Sequence, residues 1–225
     1  MIIVTGASKG LGRVICERLI EKNISVLGLA RNVEEVPFAS MSCDVSSYDN
    51  VKAVVQQLKK DGARVAGLVN AAGIASMNLA VTTPPSVAQK IINTNLLGTI
   101  YCCQMIAPLM LRNKQGSIIN FSTIAVALGL KGESIYAASK AGVEGFTRSF
   151  AREMADFNVK VNCIAPGPID TNLLKGITAD QIDKIVSQQI IPKQFKPDDV
   201  ANLVELLLDV RSDSLSGQVL YVGGV

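Results

Sequence analysis

The 225-residue chain contains no histidine. Without an imidazole, Ser-His-Asp and Cys-His nucleophilic machinery is excluded, as are the usual zinc sites. Acid–base chemistry must then use Tyr, Lys, Asp, Glu or Cys. No apolar run approaches the ~18 residues of a membrane-spanning helix, so no membrane contact is expected. Lys and Arg are scattered singly, without a basic block or interleaved aromatics, so nucleic acid is not indicated despite a net charge of +3. No charged leader with a cleavage site precedes Ile2-Ile3-Val4, and a cytoplasmic location is expected. Five scattered cysteines (Cys16, Cys43, Cys102, Cys103, Cys163) show no metal spacing. They read as reduced thiols, mostly buried, and no metal site is expected.

What is present is apolar mass: 48% hydrophobic residues, enough for one well-filled core in a single domain over 1–225. There is no internal repeat, low-complexity tract or linker. Apolar runs at 2–5, 24–30, 39–43, 65–70, 116–122, 159–165 and 218–222 predict strands. Helical periodicity predicts helices at 10–22, 47–60, 86–112, 134–157, 178–190 and 197–209. This alternation implies an α/β fold, a parallel sheet of about seven strands with helices on both faces. The strand runs are unbroken Val/Ile/Leu, as expected when both faces are covered.

The first unit runs from a strand into Gly6-Ala7-Ser8-Lys9-Gly10-Leu11-Gly12 and then into a helix. Glycines permit a tight turn and close backbone approach to a pyrophosphate at the helix N-terminus. The alternative is an ordinary strand–helix turn. The second strand ends at Arg31, about 20 residues beyond the turn, where an acid would hold the ribose of NAD and an Arg the 2′-phosphate of NADP. With Lys9 also basic, NADP(H) is favoured over NAD(H), although Glu34 or Glu35 could reach a ribose. Residues 32–39 are too few for a normal crossover helix and contain Pro37, so that helix is expected to be lost and the adenine pocket opened. Asp44, in Cys43-Asp44-Val45, reads equally as a partner of the adenine amine and as a cap of the next helix with Ser46 and Ser47. Small residues in Asn70-Ala71-Ala72-Gly73, at a strand's C-terminal end, suit a backbone passing close to a ligand, or an ordinary turn.

Tyr136 and Lys140 lie one helical turn apart. A fixed ammonium near a phenol favours the phenolate, which would equip the pair for proton transfer. Spacing alone also fits a half-buried Tyr beside a solvated Lys.

Together these residues resemble the short-chain dehydrogenase/reductase family in its compact single-domain form, most like its 3-oxoacyl-[acyl-carrier-protein] reductase branch. The resemblance covers essentially the whole chain and implies a Rossmann-like, doubly wound, three-layer fold. Thr5-Gly6-x-x-x-Gly10-x-Gly12 is similar to the family's cofactor turn. Asn70-Ala71-Ala72-Gly73 is similar to its Asn-Asn-Ala-Gly motif, with Ala71 in place of the second Asn. Asn95 matches a catalytic Asn whose locally kinked helix frees a backbone carbonyl to hold a water in a relay to Lys140. Counting back 13 residues from Tyr136 places Thr123 where the family has its catalytic Ser; Ser122 is the fallback if the loop is shifted by one. Pro166-Gly167-Pro168-Ile169-Asp170-Thr171 resembles the segment that lies against the nicotinamide.

The resemblance implies a catalytic set of Asn95, Thr123, Tyr136 and Lys140. It also implies cofactor contacts from Gly6, Ser8, Lys9, Gly10, Leu11, Gly12, Arg31, Asp44, Val45, Asn70, Ala71, Ala72, Gly73, Tyr136, Lys140, Pro166, Gly167, Ile169 and Thr171. The implied activity is NADP(H)-dependent hydride transfer at a carbonyl or secondary alcohol, with an acyl thioester among the candidate substrates. Arg112 and Lys114 would offer a basic patch to an acidic carrier protein, or form a solvated helix end. Segments 124–134 and 172–196 are expected to form the substrate pocket, the latter as a lid carrying Leu173, Leu174, Ile177, Ile182, Ile185, Val186, Ile190, Ile191 and Phe195, or else simply as core packing. A homodimer or homotetramer through 134–157 and 86–112 is implied. A catalytically silent NADP(H) sensor is the alternative function, and a related isomerase or epimerase a third.

Overall fold

The computed structural model describes residues 1–111, 114–171 and 178–225. Among these, seven strands form one parallel sheet: β1 (Ile2–Thr5), β2 (Val26–Ala30), β3 (Ser40–Ser42), β4 (Gly67–Asn70), β5 (Gly116–Phe121), β6 (Val159–Pro166) and β7 (Val219–Val222). Their spatial order is β3-β2-β1-β4-β5-β6-β7. β1, β4 and β5 are buried at every residue, because helices cover both faces and leave no polar side to alternate with.

On one face, α1 (Gly10–Glu21) and α9 (Pro197–Leu208) pack Ile15, Leu19, Val200 and Val204 onto the sheet. On the other, α2 (Tyr48–Lys60), α4 (Gly98–Ile106) and α7 (Ser134–Ala155) contribute Val51, Val55, Cys102, Ile106 and Phe150. Strand order reverses between β1 and β4, which opens a crevice at the carboxyl ends of the strands.

The helix expected over 86–112 is not continuous. It divides into α3 (Pro85–Ile92), a π-helical turn (Asn93–Leu97), α4, and α5 (Pro108–Leu111). Taken together, Pro85–Leu111 is long and apolar enough by composition to cross a membrane. Its apolar side is instead turned into the fold, where Ile91, Cys102, Cys103, Ile106 and Met110 are buried. β2 starts two residues later than expected and β3 is only three residues long.

No helix occupies 31–39. Phe38 fills the space instead: a Cβ on Gly28 would lie 2.8 Å from both the Phe38 ring and Ala7. The short α6 (Ala125–Leu128) was not legible in the sequence. α8 (Ala179–Val186) ends four residues earlier than expected and opens on a capping box between Thr178 and Gln181.

Gly12 sets the contact between α1 and β1. A Cβ there would lie 2.6 Å from the Gly6 carbonyl oxygen, a backbone atom that cannot swing away. Gly12→Ala is expected to cost about 1–3 kcal/mol of unfolding free energy, read from urea midpoints.

Burial also fixes a pH response. Removal from water pushes the Cys16, Cys103 and Cys163 thiols up to about 12 and Cys43 up to about 11, and raises Cys102 as well. Above pH 9 the unfolded thiols ionise while the folded ones stay protonated, so the native state binds more protons and stability falls as pH rises. The denaturation midpoint in reductant should decline from pH 9 to 10.5; a flat profile would show that these thiols are not sequestered.

Candidate active site

A cavity of about 460 Å³ lies at the carboxyl ends of the strands. From β1 and the turn after it come Gly6, Ser8, Lys9, Gly10, Leu11 and Gly12. β2 and β3 add Leu29, Ala30, Arg31, Cys43, Asp44 and Val45, and the turn after β4 adds Ala71, Ala72, Gly73, Ile74 and Ala75. From β5 and the segment leading into α7 come Phe121, Ser122, Thr123, Ile124, Leu130, Glu133, Tyr136 and Lys140. The turn after β6 contributes Pro166, Gly167, Pro168, Ile169 and Thr171, and α8 contributes Ile182 and Ile185. Of the catalytic and cofactor-contacting residues expected from sequence, all but Asn70 and Asn95 line this one space.

The glycine turn is shaped for a close ligand. Gly6 (φ +70°) and Gly10 (φ +57°) take left-handed conformations that favour glycine. A Cβ on Gly6 would lie 2.8 Å from Ala72 Cα, and the Ala72 N–H donates to Thr5 Oγ1 at 3.0 Å. β1 and the turn after β4 thus pass each other backbone to backbone. The first turn of α1 carries no acidic residue and its N-cap side chain makes no capping hydrogen bond, so its amides are suited to an anion.

Lys9 and Arg31 both line the cavity, whereas Glu34 and Glu35 do not. Asp44 neither caps α2, which is capped by Ser47, nor stands free: its Oδ1 accepts from Ser46 N at 2.9 Å and Ser46 Oγ at 2.7 Å. Burial pushes its pKa up, but those hydrogen bonds, Arg31 and Lys90 together bring it below the ordinary value. These features fit a dinucleotide carrying an extra phosphate on its ribose.

On α7, Tyr136 and Lys140 are both buried. Lys140 Nζ donates to the Phe121 carbonyl at 2.8 Å. Burial lowers its pKa to about 8, against a smaller upward push from Cys163. The Tyr136 phenol moves the opposite way from the sequence expectation. Burial raises its pKa, the Glu133 carboxylate raises it further, and a hydrogen bond with Thr123 pulls it down.

Ser122 and Thr123 separate cleanly. The Ser122 hydroxyl donates to buried Glu144 at 2.7 Å, and Glu144 also accepts from Tyr221 at 3.2 Å and from Arg148 at 3.3 Å. Thr123 is therefore the hydroxyl available beside the phenol, besides accepting from the Ala125 amide at 3.3 Å.

Asn95 sits in the π-helical turn with its side chain turned to protein. Its amide donates to the Ile74 carbonyl and accepts from the Ile74 N–H, both at 2.9 Å, and donates to Ser139 Oγ at 3.1 Å. Ser139 donates to the Tyr136 carbonyl at 2.6 Å. Asn95 thus ties the loop after β4 to the turn of α7 that carries Tyr136. Its own carbonyl accepts from Thr99 at 2.8 Å.

Asn70 is turned away from the cavity. Its side chain donates to Asn120 at 2.9 Å and to Cys103 Sγ at 3.3 Å, and its Oδ1 is buried without a partner among the described residues. The two-residue period of β4 directs it to the α4/α7 face, while the backbone turns toward the cavity. Asn120 continues the chain by donating to Thr147 at 2.9 Å.

Sequence reasoning missed Ser139 and Ile74, and gave Glu133 no role beyond its place in the expected pocket segment 124–134. Ser139 and Glu133 stand three residues either side of Tyr136, and that helical spacing was the available signal. In the lid segment, Ile182 and Ile185 reach the cavity, Phe195 packs on the core under α9, and Ile190 and Ile191 are exposed. Leu173, Leu174, Ile177 and Arg112 lie outside the described residues; Lys114 is exposed.

Comparison with known proteins agrees with this geometry. The family model for short chain dehydrogenases matches residues 1–182. The chain is 35% identical to the 3-oxoacyl-[acyl-carrier-protein] reductase FabG of Staphylococcus epidermidis, over 99% of this chain and 96% of that protein. It is 33% identical to carbonyl reductase family member 4 of Xenopus laevis, over 98% and 95%. The solved structure of ElxO with NADP bound superposes with a TM-score of 0.89 at 30% identity, over 98% of this chain and 96% of that one. The chain belongs to the short-chain dehydrogenase/reductase family of oxidoreductases.

Proposed function

We propose that the protein interconverts a carbonyl and a secondary alcohol using NADP(H), with Tyr136 as the acid/base. The observation that carries this reading is the shared cavity: the Thr123–Tyr136 pair and Lys140 face the same 460 Å³ space as the glycine turn and the cations Lys9 and Arg31. Bound NADP(H) would supply or accept the hydride. The α1 amides at Gly10, Leu11 and Gly12 would hold the pyrophosphate, Lys9 and Arg31 the 2′-phosphate, Lys140 a ribose, and Pro166, Gly167 and Ile169 the nicotinamide. The NADP in the ElxO structure supports this coenzyme.

Burial and Glu133 keep the phenol protonated at neutral pH, the form that donates a proton to a carbonyl oxygen as the alcohol forms. The Thr123 hydroxyl positions that oxygen and stays coupled to the phenol. Asn95 acts through Ile74 and Ser139 as a positioning residue. Ile124, Leu130, Ile182 and Ile185 exclude water around the reacting carbon. The relatives' names make 3-oxoacyl thioesters and small ketones the first substrates to try.

Three measurements test this reading. In an NADPH-oxidation assay over 3-oxoacyl thioesters, ketoses and aryl ketones, Tyr136→Phe should lower the rate by about 10²–10⁴-fold, with NADPH binding by fluorescence retained. Protein that binds NADPH, turns over nothing and is indifferent to Tyr136→Phe would sink the enzymatic reading. Arg31→Asp should weaken NADPH by about tenfold or more while sparing NADH; equal loss of both would count against NADP(H). Finally, the ammonium of Lys140 is present below about pH 8 and is lost above it, so the reductive rate should fall as pH rises through that value. Lys140→Arg, which cannot lose its charge, should remove this limb of the profile even if the absolute rate is reduced.

A further inference from the structure

Glu133 is a carboxylate whose only task so far is its effect on the phenol. It precedes the first turn of α7, where an acid commonly caps the helix, yet its side chain makes no capping hydrogen bond. It makes no other side-chain hydrogen bond or ion pair among the described residues, although it is half-buried in the cavity wall. It acts electrostatically on the Tyr136 phenol three residues on. Leu130, Ile124, Ile182 and Ile185 line the same cavity.

The cavity's exposed cations stand elsewhere. Arg31 closes β2, three strands from β5, or roughly 14 Å at ordinary strand spacing; Lys9 follows β1, two strands away. The cation on the β5 side is Lys140, which is buried and held on the Phe121 carbonyl. A substrate carbonyl placed against Thr123 and Tyr136 therefore shares the cavity with a carboxylate that no cation pairs among the described residues, its pKa raised by burial.

Resting on the carbonyl-reductase reading above, we infer that Glu133 sets substrate charge: the site takes carbonyl compounds that are neutral beside the reacting carbon, such as esters, thioesters and plain ketones, and rejects those carrying a carboxylate there. An apolar wall already disfavours an anion through desolvation. Glu133 adds like-charge repulsion, screened less in a partly buried apolar wall than in open water. The thioester and the free acid of one 3-oxoacyl chain would thus be told apart by a single side chain.

The test compares methyl 3-oxobutanoate with 3-oxobutanoate, which share the reacting ketone and differ chiefly in charge. The readout is the ratio of their kcat/KM values with NADPH, measured on one protein sample so that a folding defect cancels. Wild type should favour the ester, Glu133→Gln should narrow the ratio by about tenfold or more, and Glu133→Lys should narrow it further. An effect of Glu133 on the phenol alone would change both substrates equally and leave the ratio where it was. A ratio unchanged in both variants, or a wild type that takes the acid as readily as the ester, overturns the inference and leaves the reductase reading standing. Failure of wild type to turn over either compound or any other carbonyl in the panel overturns both.

Discussion

The site depends on one costly arrangement, the burial of a lysine ammonium against a backbone carbonyl. Lys140 is 5% exposed and its Nζ donates to the Phe121 carbonyl at the end of β5. An unpaired ammonium would not stay charged in such surroundings. Here a single carbonyl holds it, and burial still lowers its pKa to about 8. The anchor fixes the rotation of α7 against β5. Tyr136, one turn earlier, then has to face the hydroxyl that follows β5. The neighbouring Ser122 is held off by Glu144, a turn further along the same helix. Tyr136, Lys140 and Glu144, at four-residue intervals, thus lock one face of α7 to the strand that ends at the reacting position.

Two polar chains brace this contact. Asn95 and Ser139 join the loop after β4 to the Tyr136 turn. Asn70, Asn120 and Thr147 join β4, β5 and α7 below it. Both run through buried amides, whose hydrogen bonds are directional and penalise any slip that would leave one unpaired. The π-helical turn at Asn93–Leu97 turns Asn95 inward to meet Ile74, an arrangement consistent with the association of such turns with functional positions.

Most of the sheet was legible because strands covered on both faces must be apolar throughout, as Ile2–Thr5 and Gly116–Phe121 are. The glycine turn was legible because only glycine suits the close approach at Gly6 and Gly12. The break in Pro85–Leu111 was implied only by the resemblance, as a kink at Asn95; periodicity did not show it, since a π-turn inserts a residue without altering composition. The orientation of the Asn70 side chain was hidden because its motif shows where the backbone goes, whereas strand parity decides where the side chain goes. The direction of the Tyr136 shift was also hidden. Spacing put a cation one turn away but could not reveal that Lys140 is buried on the Phe121 carbonyl, or that burial and the Glu133 carboxylate dominate at the phenol.

The departure from the expected serine becomes intelligible in these terms. Thr123 retains a hydroxyl that lowers the phenol's pKa, and its β-branch restricts that hydroxyl to few rotamers. The central claim is that this hydroxyl pair receives a carbonyl to which hydride is delivered from the adjoining cofactor cleft. It is tested most directly with NADPH doubly deuterated at the nicotinamide C4 and a ketone substrate, followed by mass spectrometry of the product alcohol. The account predicts one deuterium on the carbinol carbon per NADPH consumed. NADPH consumption with no deuterium at that carbon would contradict it.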